Sequence, residues 1–317
     1  MDQYINQRTL SLADLRIKIG SVDFKNPIFV ASGTYGYGTE VSELADITVL
    51  GAIVTKSVTR YPREGNPPPR IVETPSGMLN SIGLANIGVE AYIKKMIPLY
   101  EELKTPIIMN IAGSTEDEYC EILEMMELIS SNIAGYEINI SCPNVNAGGM
   151  EFGVDCDLTE QLTTRLRKLT DRLLIMKLSP NVTDIAAIGV AAEKGGVDAL
   201  SAINTLVGMS INTTNKKSNI HYGYGGLSGP AIKPVGLACV HKIYQAVDIP
   251  LIGIGGITSA NDVLEYVLAG AAAVEVGTAN YRDPNVGNSI IVELDTLLDQ
   301  NDIGSVPELV GKVELGS

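Results

Sequence analysis

The chain has 317 residues, 45% of them hydrophobic and 19% charged, and its formal net charge at pH 7 is -14. This length suits either two domains or one large α/β barrel, and the acidic balance argues against a nucleic-acid surface, which needs clustered Lys and Arg. We expect no membrane span, because no stretch of about 18 apolar residues is free of charged or turn residues.

Residues 1–14 are polar and lack the apolar core of a secretory signal, so we interpret them as a loose arm. Residues 15–317 are expected to form a single domain that begins with a β-hairpin at 15–26, a candidate plug for the floor of a barrel. Segments 60–86 and 204–230 are predicted to be long loops over the opposite, C-terminal face. Loops of this length are uncommon unless they are functional.

Short apolar segments alternate with amphipathic segments along the rest of the chain. The predicted strands are 28–31, 52–55, 106–111, 136–141, 174–178, 199–203, 250–254 and 273–276. The predicted helices are 90–103, 115–129, 158–169, 185–194, 232–247, 260–269 and 288–298. Near-continuous apolar strands separated by helices predict a parallel sheet covered on both faces. Their number favours a closed (β/α)8 TIM barrel over an open doubly wound sheet.

Polar residues stand at the carboxyl ends of nearly all the predicted strands, the edge at which barrels bind ligands. Strand 136–141 shows this most clearly, because it stops abruptly at Cys142-Pro143-Asn144. Polar residues at other strand ends, or in the loops that follow them, are Ser32, Lys56, Ser57, Asn80, Asn110, Asn139, Lys177, Asn204 and Thr205. A single asparagine of this kind is most simply a turn residue, but the whole ring predicts a polar cavity.

Two glycine motifs suit a phosphate group. Gly255-Gly256 and Gly277-Thr278 follow the last two predicted strands, where barrels often hold phosphate with backbone N–H groups and helix N-termini. The alternative is that these glycines serve only tight turns. No Gly-x-Gly-x-x-Gly motif follows a strand, so we expect no dinucleotide bound in the Rossmann manner.

Lys177 lies in an otherwise apolar strand, and burying an unpaired ammonium is costly. It therefore faces the cavity or forms a salt bridge, and the same alternatives hold for Lys56. Cys142 could be a nucleophile, a base or an inert buried thiol. A cysteine nucleophile usually needs a nearby histidine, and none is close in sequence, so the first role is not favoured. The spacing of the 4 cysteines does not match zinc or iron–sulfur ligation, so we expect no metal in this chain.

Together these residues resemble the dihydroorotate dehydrogenase family from about residue 15 to residue 283. The motifs that carry the resemblance are Asn26-Pro27, Ala31-Ser32-Gly33, Lys56-Ser57, Asn80-Ser81-Ile82-Gly83-Leu84-Ala85-Asn86, Asn139-Ile140-Ser141-Cys142-Pro143-Asn144, Lys177-Leu178-Ser179-Pro180, Gly226-Leu227-Ser228-Gly229-Pro230 and Gly255-Gly256-Ile257. The resemblance implies FMN at the C-terminal face of the barrel. It also implies oxidation of (S)-dihydroorotate to orotate in pyrimidine biosynthesis.

The resemblance also implies a role for each site residue. Cys142 falls where class 1 enzymes carry the base that removes the C5 proton of the substrate. Residues implied to bind substrate are Lys56, Asn80, Ser81, Ile82, Gly83, Leu84, Asn139, Asn144, Asn204 and Thr205. Residues implied to bind FMN are Ser32, Lys56, Ser57, Asn110, Asn139, Lys177, Ile203, Gly229, Gly255, Gly256, Gly277 and Thr278.

Residues 228–234 resemble class 1B, in which electrons pass to NAD through a partner subunit that carries FAD and a [2Fe–2S] cluster. This implies a cytoplasmic heterotetramer, built from a homodimer of this chain and the iron–sulfur subunit, with no membrane or nucleic-acid partner. Three alternatives stay open. They are a fumarate-dependent class 1A enzyme, a related flavin-dependent dihydropyrimidine dehydrogenase subunit, and a non-catalytic barrel that binds no flavin.

Overall fold

The computed structural model describes residues 13–141 and 152–316. Its strands are β1 Ile17–Ile19, β2 Val22–Phe24, β3 Ile28–Val30, β4 Ala52–Val54, β5 Ile71–Thr74, β6 Gly77–Asn80, β7 Ile107–Ala112, β8 Ile133–Asn139, β9 Leu173–Leu178, β10 Ala199–Ala202, β11 Leu206–Met209, β12 Ile211–Asn212, β13 Lys217–Ser218, β14 Tyr224–Ser228, β15 Leu251–Ile254 and β16 Ala271–Val276. Its α-helices are α1 Val89–Lys95, α2 Ile97–Tyr100, α3 Glu116–Glu127, α4 Cys156–Arg167, α5 Ile185–Gly195, α6 Lys233–Tyr244, α7 Ala260–Ala269 and α8 Val286–Gln300. Among the described residues, no helix is both long enough and apolar enough to cross a membrane.

Eight parallel strands close into a barrel in the order β3, β4, β7, β8, β9, β10, β15 and β16, with β16 pairing back to β3. Strands β7 and β9 are buried along their whole length, as expected for parallel strands covered on both faces. The predicted (β/α)8 barrel and its eight strands are therefore confirmed. Three strands begin earlier than predicted, β8 at Ile133, β9 at Leu173 and β16 at Ala271.

The predicted N-terminal hairpin is confirmed and lies at the amino-terminal end of the barrel. Its turn residue Gly20 has φ +56°, and a Cβ there would lie 3.1 Å from Asp198 and 3.2 Å from Leu173, where β10 and β9 begin. Phe24 of β2 packs on Phe29 of β3, with ring centroids 4.7 Å apart. The hairpin thus buries aromatic surface beneath the barrel, and the opposite end is left for ligands.

The two segments predicted as long loops contain a four-stranded antiparallel sheet over the C-terminal face. Strands β5 and β6 come from segment 60–86, and β11 and β14 come from segment 204–230, in the order β11, β14, β6, β5. Asn80 and Gly226 are register partners although 146 residues separate them in sequence. A Cβ on Gly226 would lie 2.1 Å from Thr205 Oγ1, so the absent side chain permits the close approach.

The prediction of one continuous helix over 90–103 is wrong, because two helices, α1 and α2, meet at Met96. Pro98 lies in the first turn of α2 and has no N–H to donate, which suits the start of a helix and not its interior. By contrast, the predicted start of α3 is confirmed, because the Thr115 side chain accepts a hydrogen bond from the Glu118 amide.

Candidate functional site

Five polar side chains form a buried cluster inside the carboxyl-terminal half of the barrel. They are Asn110, Glu137, Lys177, Ser201 and Glu275, on β7, β8, β9, β10 and β16. Glu137 accepts hydrogen bonds from Asn110 Nδ2 at 2.5 Å and from Ser201 Oγ at 2.7 Å. Lys177 Nζ lies 3.4 Å from Glu137 Oε2 and 3.3 Å from Glu275 Oε2. Lys177 thus forms the salt bridge that the sequence left open, with carboxylates from two strands.

The environment moves the pKa values of the three ionisable groups in different directions. Burial acts to raise the pKa of Glu137, but Lys177 and the donated hydrogen bonds lower it below its usual range. Burial raises the pKa of Glu275 well above its ordinary range, and the nearby Glu137 raises it further. Burial acts to lower the pKa of Lys177, but the two carboxyl groups raise it.

Two predicted substrate amides meet next to this cluster. Asn139 is the register partner of Lys177, and its Oδ1 accepts a hydrogen bond from Asn204 Nδ2 at 3.2 Å. The Thr205 amide donates to Asn204 Oδ1 at 2.7 Å, so the asparagine side chains have fixed orientations. The structure therefore brings Asn139, Asn204 and Thr205 together. Cys142 and Asn144 lie outside the described residues, although described Ser141 immediately precedes Cys142.

Asn80 and Ser81 lie where β6 ends, at the edge of the overhanging sheet. Asn80 Nδ2 donates to the Gly226 carbonyl at 3.3 Å, and Asn66 Nδ2 donates to Ser81 Oγ at 2.9 Å. The backbone N–H of Asn66 also donates to the Ile82 carbonyl at 2.9 Å. These bonds tie the predicted substrate loop to the neighbouring segment.

The same loop continues through two residues with positive φ, Gly83 at +74° and Leu84 at +54°. A Cβ on Gly83 would lie 2.3 Å from Asn66 Oδ1, so only glycine fits there. Positive φ is unusual for leucine, and strained backbone of this kind often marks a binding segment. The geometry supports the placement of Gly83 and Leu84 at a ligand.

Lys56 follows β4 and is half-buried. Its backbone amide is held by the Gly36 carbonyl at 2.7 Å, while its ammonium forms no ion pair with the described residues. Burial lowers the pKa of Lys56, and the charge of Arg70 lowers it further. The charge of Glu40 acts to raise the pKa of Lys56, but the two groups form no salt bridge. A half-buried ammonium that no described carboxylate pairs is suited to an anionic ligand. Ser57 next to it is buried, and Ser32 beyond β3 is partly exposed.

The glycines after the last barrel strands form a candidate cradle for an anion. Gly256 has φ +71°, and a Cβ there would lie 3.0 Å from the Gly229 carbonyl oxygen, so these two predicted residues are adjacent. A Cβ on Gly277 would touch only Ala31, at 3.5 Å, so this position opens into free space. Thr278 Oγ1 donates to Ser228 Oγ at 2.8 Å, which joins the loop that contains Gly277 to the loop that contains Gly229.

The first turn of α7 is not available to an anion, because Asp262 already occupies it. Asp262 Oδ2 accepts from the amides of Thr258 at 2.8 Å and Ser259 at 3.0 Å, and Ser259 completes a capping box. Donors to a phosphate would therefore be the cradle amides rather than this helix N-terminus. Burial acts to raise the pKa of Asp262, but hydrogen bonds from Lys233 and Thr258 lower it.

Asp262→Asn is expected to lower the free energy of unfolding by about 1–3 kcal/mol at pH 7. Because the folded-state pKa of Asp262 is depressed, its contribution is present above the unfolded-state pKa of about 4 and is lost as pH falls. Urea denaturation at several pH values measures this. Glu265→Gln, at a more exposed partner of Lys233, is the control and should cost under about 1 kcal/mol. A pH-independent difference would contradict the assignment.

Residues of the buried cluster fit a polar planar ring such as a flavin. Asn110 Oδ1 is buried and has no hydrogen-bond partner among the described residues. Ile203, another predicted flavin contact, is buried after β10, and its amide donates to the Ile254 carbonyl at 3.1 Å. With the candidate cradle for a phosphate, the described residues fit FMN.

Sequence reasoning missed Glu137, Ser201 and Glu275. The signal that marked Lys177, a charged residue within an apolar strand, was also present at Glu137 and Glu275. Ser201 carried no comparable signal, because a serine in a strand is common on any face.

The fold and the site define a (β/α)8-barrel protein with a charged interior, an amide-lined mouth and a glycine cradle. The family model for dihydroorotate dehydrogenase matches residues 14–298. The catalytic subunit of dihydroorotate dehydrogenase B (NAD(+)) from Desulforamulus reducens is 50% identical over 302 residues, which cover 95% of this chain and 99% of that protein. The protein of the same name from Geotalea daltonii is 47% identical with the same coverage. The chain therefore belongs to the dihydroorotate dehydrogenase family of oxidoreductases.

Proposed function

We propose that this chain oxidises (S)-dihydroorotate to orotate with bound FMN, as the catalytic subunit of an NAD-linked enzyme. The observation that carries the proposal is the contact of Asn204 with Asn139, which is the register partner of Lys177. Predicted substrate ligands and a predicted flavin contact thus share one mouth, in a chain of the dihydroorotate dehydrogenase family.

The mouth suits a planar ring that carries an imide and a carboxylate. Each asparagine amide offers both a donor and an acceptor, which match the alternating N–H and C=O groups of such a ring. The ammonium of Lys56, which forms no ion pair with the described residues, supplies positive charge for the carboxylate. Asn80 and Gly83-Leu84 at the end of β6, together with Ser81 and Ile82, are assigned to the same substrate. Asn144 and Thr205 complete the proposed set.

FMN, when bound, supplies the acceptor for the hydride that leaves C6 of the substrate. Gly255, Gly256, Gly277 and Thr278 would hold its phosphate, and Ser32 and Gly229 would hold its ribityl chain. Lys177, Asn110, Ile203, Ser57, Lys56 and Asn139 would line the ring. In this arrangement the buried ammonium of Lys177 stabilises negative charge placed next to it.

Cys142 is proposed to take the C5 proton of the substrate. A base must stand within hydrogen-bond reach of the proton it removes. Cys142 follows Ser141, and the Ser141 amide is anchored at 3.2 Å to Asn139 Oδ1. Cys120 and Cys239 are poor candidates, because burial raises the pKa of both thiols and both lie on helices outside the barrel.

The proposed assembly is a cytoplasmic heterotetramer, built from a homodimer of this chain and an iron–sulfur subunit with FAD that passes electrons to NAD. Its support is the resemblance of residues 228–234 to class 1B and the words "catalytic subunit" in the names of the relatives. Purification of the tagged chain from its own cell tests this. Co-purification of an iron–sulfur flavoprotein is expected, and fumarate-dependent turnover by the isolated chain would instead indicate class 1A.

The purified protein is expected to be yellow and to lose its flavin absorbance when dihydroorotate is added without oxygen. Dihydrouracil, which lacks the carboxylate that Lys56 is proposed to bind, is the matched control and should reduce the flavin far more slowly. Stopped-flow absorbance measures both rates. Reduction by dihydrouracil alone would indicate a dihydropyrimidine dehydrogenase subunit. A colourless protein that takes up no FMN would indicate a non-catalytic barrel.

A further inference from the structure

Two carboxyl groups share one ammonium in the buried cluster, and their surroundings are unequal. Glu137 accepts hydrogen bonds from Asn110 and Ser201 in addition to its contact with Lys177. Glu275 contacts Lys177 at 3.3 Å, and its Oε1 has no donor among the described residues. Both glutamates are fully buried, so bulk solvent does not reach them.

The charges do not balance if both carboxyl groups are ionised, because one ammonium offsets only one carboxylate. A second negative charge would then stay in the barrel interior, where an uncompensated charge is very costly. Two carboxyl groups in one such site retain a proton between them. The proton belongs on Glu275, since Glu137 has the three donors that stabilise a carboxylate.

We propose that Glu275 is a protonated carboxylic acid that hydrogen bonds to Glu137, and that this pair positions the Lys177 ammonium in an electroneutral cluster. Lys177 Nζ lies 3.4 Å from Glu137 Oε2 and 3.3 Å from Glu275 Oε2, so the two carboxyl groups meet at one ammonium. A protonated Glu275 is itself a donor, which explains why its Oε1 accepts no hydrogen bond from the described residues.

No other strand of the barrel supplies a compensating charge. Strands β3, β4 and β15 consist of apolar residues and glycine, with the sequences IFV, AIV and LIGI. From the remaining strands, the groups that face Glu275 are Glu137 and Lys177, with Asn110 and Ser201 as neutral neighbours. The proton on Glu275 is thus the only available means of balancing charge among the described residues of the barrel strands.

This inference rests on the proposed function in one respect, the placement of Lys177 beside the flavin. With Glu275 neutral, one carboxylate offsets the ammonium, and the cluster does not repel negative charge that gathers next to it. With both glutamates ionised, the cluster would carry net negative charge and oppose flavin reduction. Glu137 and Glu275 are therefore positioning residues that set the charge at Lys177.

Infrared spectroscopy of the flavin-free protein near pH 7 tests the protonation directly. A carbonyl stretch of a buried carboxylic acid is expected in the wild type and should be missing from Glu275→Gln. Its absence from the wild type would overturn the proposal. This result does not depend on FMN, so it stands even if the protein binds no flavin and the proposed function fails.

The relative stability of two isosteric variants locates the proton. Glu275→Gln keeps a neutral hydrogen-bonding group and should leave the folding equilibrium and the midpoint potential of bound FMN near the wild-type values. Glu137→Gln removes the charged acceptor of three donors and should lower the folding equilibrium constant by at least about tenfold. The reverse order of stability would overturn the proposal. So would a raised flavin potential in Glu275→Gln, because it would mean that a negative charge had been removed.

Discussion

Cys142→Ser is expected to slow the reduction of bound flavin by dihydroorotate by about 10²–10⁴-fold near pH 7, the usual contribution of a positioned base. A hydroxyl is a far weaker acid than a thiol, so the anion that accepts the proton is scarcely populated. Anaerobic stopped-flow absorbance at saturating dihydroorotate measures the rate. In the wild type, this rate should rise with pH until the thiol is ionised, and the ordinary thiol pKa is about 8.5.

Cys156→Ser is the matched control for this variant, because Cys156 is an exposed free thiol at the start of α4. Its rate of flavin reduction should equal that of the wild type. Unchanged FMN binding in Cys142→Ser would show that the loss lies in the chemical step. A near-normal rate in Cys142→Ser would show that another group takes the proton.

Lys177→Met is expected to lower the free energy of unfolding of the flavin-free protein by about 3–5 kcal/mol, because it leaves the Glu137 carboxylate buried without its counter-charge. Protonation of Glu137 relieves this cost. The pKa of Glu137 in the folded variant should therefore lie above its unfolded value, and the stability deficit should shrink as pH falls from about 8 to about 5. Urea denaturation monitored by circular dichroism at both pH values measures the deficit.

The double variant Lys177→Met/Glu137→Gln should recover more than half of that loss, since no buried charge then remains. Arg165→Met is the control for an ordinary ion pair. Arg165 is partly exposed and pairs with Glu116 and Asp117, so its loss should cost under about 1 kcal/mol. A double variant no more stable than Lys177→Met would mean that lost packing, not the unpaired charge, causes the deficit.

Local sequence signals predicted the barrel well because its strands are short, apolar and regularly separated by helices. The same signals failed for the sheet of β5, β6, β11 and β14. Its strands are rich in glycine, and its central pairing joins Asn80 to Gly226, which are 146 residues apart in sequence. Such pairing depends on the barrel first bringing both segments to one face, which no local pattern records.

The candidate site was also predicted only in part, because local signals do not record which residues meet in space. Asn139, Asn204 and Lys177 were found because each is a polar residue at the end of an apolar strand, and parallel strands bring such ends to one edge. Glu137 and Glu275 were missed although they lie in equally apolar strands. Their meaning comes from proximity to Lys177, and Glu275 reaches it from β16, across the barrel interior.

The sequence by itself determined the (β/α)8 barrel and the family resemblance, because hydrophobic periodicity and strand-end chemistry are local properties of the chain. It also predicted Asn139, Asn204 and Thr205, which the structure brings together. Only the tertiary structure decided which charges meet. It places two carboxyl groups next to one ammonium. It also directs the Asp262 carboxylate to the amides at the start of α7, and it pairs strands from two predicted loops into one sheet. Charge balance and hydrogen bonding depend on distances of a few ångströms between residues far apart in sequence, and these exist only once the barrel has closed.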